Sequence, residues 1–200
     1  MQTNPAANFA ANPAANPAPL SDWVRRFAPL AGAGEVLDLA CGGGRHARRF
    51  AALGHPVLAV DRDAGSLIDA GGPNIATLQF DLEDGVSEWP FAAGRFAAIV
   101  VINYLYRPLM AQLADSLAPG GMLIYETFAA GNEAYGRPSN PDFLLAAGEL
   151  LAFAAGAGLR VLAYEDVFTD RPKAAMVQRL CAVGSAYKFD SAWKRESSQE

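Results

Sequence analysis

Three aspartates and one run of glycines carry the chemistry visible in this sequence. Asp38 lies in the apolar run Val36-Leu37-Asp38-Leu39-Ala40, and Cys41 and Gly42-Gly43-Gly44 follow it directly. Glycines at such a place let a ligand approach the backbone closely. A helix opening there turns its free N–H groups toward that ligand. A carboxylate beside them suits a cationic ammonium better than a pyrophosphate. Asp61 closes a second apolar run, Ala59-Val60-Asp61, about 20 residues past the glycines, where an acid accepts both hydroxyls of a ribose. Asp81 closes a third, Leu78-Gln79-Phe80-Asp81, in place to receive an exocyclic amine. A single acid of this kind is ordinarily a solvated loop carboxylate. Three in succession beside a glycine loop converge as the polar groups of a pocket do.

Other reactive side chains are read more plainly. His46 falls in the first turn after the glycines; packing or orienting a cofactor is the simpler role, and a general base the sharper one. His55 precedes the second strand, at the opposite end of the sheet, and is structural. Cys41 stands at a helix N-terminus, which can lower a thiol pKa, but reads as a small loop residue. Cys181 belongs to a strand and a buried environment. Two cysteines and two separated histidines supply neither a disulfide framework nor a metal site.

The elements that must position these groups alternate. A helix opens at Ser21 and puts Trp23, Val24, Phe27 and Leu30 on one face. Strands follow at 36–40, 56–60, 75–80, 96–102 and 122–125. Helices are expected at 44–53, at 63–70, from Pro108 to near Pro119-Gly120-Gly121, and at 140–156. Two final β-runs, near 159–164 and 174–183, have no helix between them and form an antiparallel pair. The fold class is α/β: a Rossmann-like, doubly wound, mostly parallel seven-stranded sheet with an antiparallel terminal strand and helices on both faces. In such sheets ligands bind at the carboxyl ends of the strands, where the strand order reverses. Residues 1–19, with four prolines and a recurring Asn-Pro-Ala-Ala unit, read as a flexible low-complexity arm. The folded domain spans 20–185, and residues 186–200 form a polar, frayed tail.

Composition bounds the rest. The 200 residues are 52% hydrophobic and 18% charged with a net charge of −5, which suits one globular domain. An acidic balance disfavours a nucleic-acid partner. No apolar stretch is long enough to span a bilayer, and no secretory signal opens the chain, so a cytoplasmic location is expected. Gly42-Gly43-Gly44-Arg45-His46-Ala47 also fits the G-x-G-x-x-A dinucleotide pattern. Asp38 and the lack of room for a separate substrate domain disfavour a nicotinamide enzyme.

The ordered set Val36–Gly44, Ala59–Asp61, Gln79–Asp84 and Pro119–Glu126 resembles the class I S-adenosylmethionine-dependent methyltransferases, over about residues 20–185. Ala40 departs from the pattern, standing where the family often has its first glycine. The resemblance implies S-adenosylmethionine as cofactor. Asp38 and the backbone of Ala40, Cys41, Gly42 and Gly44 would hold the methionine part, Asp61 with Arg62 beside it the ribose, and Asp81 with Leu82 the adenine. Asn103 would lie beneath the methyl group. The stretch Tyr125 to Leu145 is similar to a bacterial subgroup of small methyltransferases akin to the tellurite-resistance type, which implies a small acceptor.

Acceptor contacts are expected from Tyr104, Tyr106 and Arg107 after the fourth strand and from Thr127 and Phe128 after the fifth. The connection holding Asn132, Glu133, Tyr135 and Arg137 is long enough to be functional. Aromatics there can face a sulfonium, and Arg107 and Arg137 can hold an anionic acceptor. Asn103, Tyr104 and His46 are the catalytic candidates, and none stands out as a base. Ile102-Asn103-Tyr104-Leu105 is not the Asn/Asp-Pro-Pro-aromatic arrangement that resembles enzymes methylating base amino groups. A sensor or partner subunit that binds the cofactor without transfer is the alternative. Oligomeric state is open at this point.

Overall fold

The computed structural model describes residues 19–189. The expected arm, apart from Pro19, and residues 190–200 of the expected tail lie outside them. Seven strands form one sheet: β1 Val36–Leu39, β2 Val57–Asp61, β3 Ile75–Gln79, β4 Phe96–Ile102, β5 Leu117–Phe128, β6 Arg160–Thr169 and β7 Ala175–Val183. Their spatial order is β3-β2-β1-β4-β5-β7-β6. The first five are parallel, and β7 runs antiparallel to both of its neighbours. The order reverses between β1 and β4, so their carboxyl ends flank the crevice where ligands collect.

Each face of the sheet carries its own core. α1 Asp22–Phe27, α2 Arg45–Ala52 and α3 Ala64–Ala70 cover one face, burying Trp23, Val24, Phe27, Ala47, Phe50, Leu67 and Ala70 against Val36, Val100, Ile102 and Ile124. α4 Met110–Ser116 and α5 Glu149–Gly156 cover the other, burying Leu113, Leu150 and Ala154 against Leu37, Leu39, Ile99, Val101 and Tyr125. β4 is buried at all seven positions, as a continuous apolar run requires of a central strand. Ser21 caps α1, its Oγ accepting from the N–H groups of Trp23 and Val24.

Several boundaries differ from the sequence reading, each for a visible reason. The helix expected over 140–156 is divided. Pro141–Phe143 is a single 3-10 turn, Leu145 runs extended beside Ala129, and α5 begins only after Gly148 adopts φ 72°. The backbone N–H and C=O of the Leu145 region are claimed by Phe128 and Ala130, so no helix can use them. The helix expected from Pro108 to the Pro-Gly-Gly run opens as a 3-10 turn, Arg107–Leu109, and ends at Ser116. Pro119-Gly120-Gly121 instead extends β5, whose ladder runs on through Gly184 N–H to Gly121 O and Ala186 N–H to Pro119 O. A Cβ on Gly184 would sit 2.2 Å from Pro119 O, so only glycine allows that approach. β7 lies inside the sheet, which makes β6 the edge. The chain does not fray at 186: the Tyr187 hydroxyl donates to Leu30 O at 2.8 Å.

Candidate functional site

The glycine loop is built on left-handed backbone. Ala40 (φ 53°), Gly42 (φ 52°) and Gly44 (φ 73°) alternate with ordinary residues between β1 and α2. Gly44 has no room for a side chain, since a Cβ would lie 2.7 Å from Ala70 Cα, whereas a Cβ on Gly42 meets no atom within 4 Å. The loop is therefore packed against α3 on one side and open on the other, as a ligand cradle must be. Ala40 fills the place of a family glycine in a conformation that costs an alanine about 1–2 kcal/mol.

Of the three acids, Asp61 is tied to this loop and Asp38 to the helix it opens. Asp38 is 1% exposed, and its Oδ2 accepts from Ala47 N at 2.8 Å. Burial pushes its carboxyl up to about 7, against the pull of that hydrogen bond and of Arg45. Asp61, at the end of β2, accepts from Gly42 N through Oδ2 at 2.8 Å and from Asp63 N through Oδ1 at 3.0 Å, so it also shapes the loop. Arg62 beside it is exposed. Asp81 is exposed just past β3, its Oδ1 accepting from Glu83 N, and Leu82 packs against the second core. The Cys41 thiol is not activated. Burial and the carboxylates of Asp38 and Asp61 push it far above its ordinary range, and its Sγ donates to Gly42 O.

His46 is unsuited to general-base work. It is 3% exposed, burial and the neighbouring Arg45 push its pKa down to about 3, and its Nε2 accepts from Arg45 Nε at 3.1 Å. Ser21 N points at the same nitrogen from 3.5 Å.

Beyond Asn103 the expected acceptor contacts separate. Asn103 is exposed at φ 59°, with its N–H on Glu126 O at 2.8 Å. Tyr104 is half-buried, and its hydroxyl is enclosed near the Glu83 carboxylate. Arg107 is engaged by the fold itself: it meets the Glu149 carboxylate through Nε and Nη2 and the carbonyls of Asp142 and Leu144 through Nη1 and Nη2. Thr127 is 1% exposed, while Arg137 is exposed, with its carbonyl near Lys173 Nζ. Buried Asn132 staples the connection, donating to Pro138 O and accepting from Met176 N. A cleft of about 240 Å³ opens between Glu83, Leu105–Pro108, Asp142 and Phe143. A larger one, about 410 Å³, lies by Pro73–Ile75 at the amino end of β3, away from the strand ends that carry the acids.

The sequence reading passed over a polar row at the carboxyl end of the sheet. Glu126 of β5 pairs with Arg179 of β7, and Arg179 with Glu165 of β6. Glu126 Oε2 accepts from Ser21 Oγ at 2.7 Å and lies 3.3 Å from Arg179 Nε; Arg179 Nη1 meets Glu165 Oε2 at 2.8 Å. Arg45 lies in the field of both Asp38 and Glu126. The signal was present, because Glu126 closes the apolar run 122–125 as Asp61 and Asp81 close theirs. Among the described residues no three His, Cys, Asp or Glu side chains gather as a metal site, and no helix is long and apolar enough to cross a membrane.

Comparison with known proteins matches residues 14–150 to a family described as a methyltransferase domain. No curated protein matches. Among solved structures, the chain is similar to an S-adenosylmethionine-dependent methyltransferase from Mesorhizobium loti (19% identity, 80% of this chain and 95% of that one, TM-score 0.63). It is also similar to TehB from Haemophilus influenzae (18% identity, 83% and 63%, TM-score 0.68). A third is the 1,6-didemethyltoxoflavin-N1-methyltransferase of Burkholderia thailandensis (18% identity, 81% and 76%, TM-score 0.59).

Proposed function

The chain belongs to the methyltransferase-domain family, an enzyme of the S-adenosylmethionine-dependent class, and from that premise we propose that it methylates a small molecule. One observation carries the reading of the donor side. Asp38 lies in β1, Asp61 closes β2 with its carboxylate on the Gly42 N–H, and Asp81 follows β3, all toward the carboxyl end of the sheet that carries the loop open at Gly42. Their chemistry fits the group: Asp38 for an ammonium, Asp61 for ribose hydroxyls, and Asp81 with Leu82 for an adenine. The backbone of Ala40 to Gly44 would line the methionine part, with Arg62 beside the ribose and Asn103 near the methyl. Bound there, the donor supplies a methyl already activated on sulfur, and the protein's part is to orient the acceptor and exclude water.

A small acceptor is supported by the net charge of −5, which disfavours a nucleic-acid partner. The toxoflavin-precursor enzyme of similar fold acts on a small molecule by its name. Tyr104, Thr127 and Arg137 stay as acceptor-side candidates. Arg107 does not, because the fold engages its guanidinium.

Calorimetric titration with S-adenosylmethionine and, separately, NAD tests the donor. Binding of the first and none of the second is expected. Asp61→Ala should weaken donor binding by about 1–3 kcal/mol, from lost ribose contacts and a loosened Gly42. Unchanged affinity in a folded variant would remove Asp61 from the site.

A further inference from the structure

We propose that Glu126 is the acceptor-side contact of the reaction and that the acceptor is a protic nucleophile, an amine or a hydroxyl. The proposal rests on the methyltransferase reading above. Asp38 and Glu126 project from the same face of the sheet, the face of Val36, Val100, Ile102 and Ile124. They stand two strands apart, roughly 10 Å across the sheet, on either side of the point where strand order reverses. Glu126 lies level with Ile102, one residue before Asn103, and its carbonyl holds the Asn103 N–H. Asp38 thus lies toward the donor and Glu126 across the crevice from it.

The surroundings of Glu126 suit a waiting ligand. Its side chain is 14% exposed. Ser21 and Arg179 both engage Oε2, Arg45 lies in the field of the carboxylate, and among the described residues no hydrogen bond falls on Oε1, the oxygen we assign to the acceptor. Arg179 Nε is buried without a hydrogen bond beside it. A carboxylate accepts hydrogen bonds only, so it selects an N–H or O–H and disfavours a thiolate or a chalcogen oxyanion. In the transfer, the acceptor's nitrogen or oxygen lone pair forms the new bond to carbon. The sulfur–carbon electron pair returns to sulfur, and the acceptor's proton passes to Glu126.

Binding alone can test this. Sinefungin carries an amine in place of the transferable methyl, so its ammonium points where the acceptor would lie; S-adenosylhomocysteine has no group there. Calorimetry on the wild type, Glu126→Gln and Glu126→Asp uses both probes. Glu126→Gln should weaken sinefungin at least tenfold and leave S-adenosylhomocysteine within about threefold, with Glu126→Asp between the two. Equal weakening of both probes, or of neither, overturns the proposal. Failure of the wild type to bind either probe would instead remove the methyltransferase reading beneath it. Should Glu126→Gln fail to fold, Glu126→Asp must still discriminate between the probes.

Discussion

Ala40 shows how one side chain records a compromise in the loop. Its φ of 53° is a conformation that glycine adopts without penalty and alanine does not. Glycine also gives the unfolded chain more freedom, which offsets about 0.4–1 kcal/mol of the relief. Ala40→Gly should therefore raise stability by about 0.5–1 kcal/mol, and Ala40→Val should lower it, because a β-branched residue is worse still at positive φ. Urea unfolding of the two variants gives the order; a stabilising valine would mean that the loop differs from the one described. Asp61 was readable from its place after an apolar run. That Asp61 also holds Gly42 N–H was not, because the loop's path decides it.

At the scale of elements, Arg107 joins two segments that are distant in sequence. It fixes the 3-10 turn at Pro141 and the start of α5 to the end of β4. Its pair with Glu149 is partly exposed, with side chains 39% and 21% accessible, so water screens part of the gain. Arg107→Leu should cost about 1–2 kcal/mol, chiefly from hydrogen bonds to the carbonyls and Glu149, and should leave donor affinity unchanged. A variant as stable as the parent would return Arg107 to the list of acceptor contacts. The sequence placed Arg107 correctly after the fourth strand. It could not disclose a partner at residue 149, because pairing across 42 residues depends on how the intervening connection packs.

Over the whole molecule, two buried groups set opposing responses to pH. Asp38 has a folded pKa of about 7 against 3.8 unfolded. Its contribution to stability is complete below about pH 4 and is lost as pH rises through 7. His46 has a folded pKa of about 3 against 6.5 unfolded. Its contribution is complete above pH 6.5 and is lost as pH falls. Between about pH 4 and 6.5 the two slopes, each about 1.4 kcal/mol per pH unit, cancel. Asp38→Asn should therefore show stability rising with pH over that window, and His46→Gln stability falling, while the wild type stays nearly flat. Denaturant unfolding at pH 4.5, 5.5 and 6.5 would show it; parallel slopes in all three proteins would contradict the assignment. Asp38→Asn should also be the more stable protein at pH 8, since it removes a charge whose burial outweighs the pull of Arg45 and the Ala47 N–H. The alternation of strands and helices, and the placing of Asp38, Asp61 and Asp81 toward the carboxyl ends of successive strands, were legible from the sequence. Those rest on hydrophobic period and on residues adjacent in the chain, which local physics governs. Tertiary structure alone decided that β7 enters between β5 and β6 and so brings Arg179 beside Glu126. It decided likewise that α1 docks Ser21 onto that carboxylate and that His46 and Cys41 are buried past usefulness as base or nucleophile. Strand order, burial and pairing between distant segments follow from the packing of the whole chain, and no local pattern encodes them.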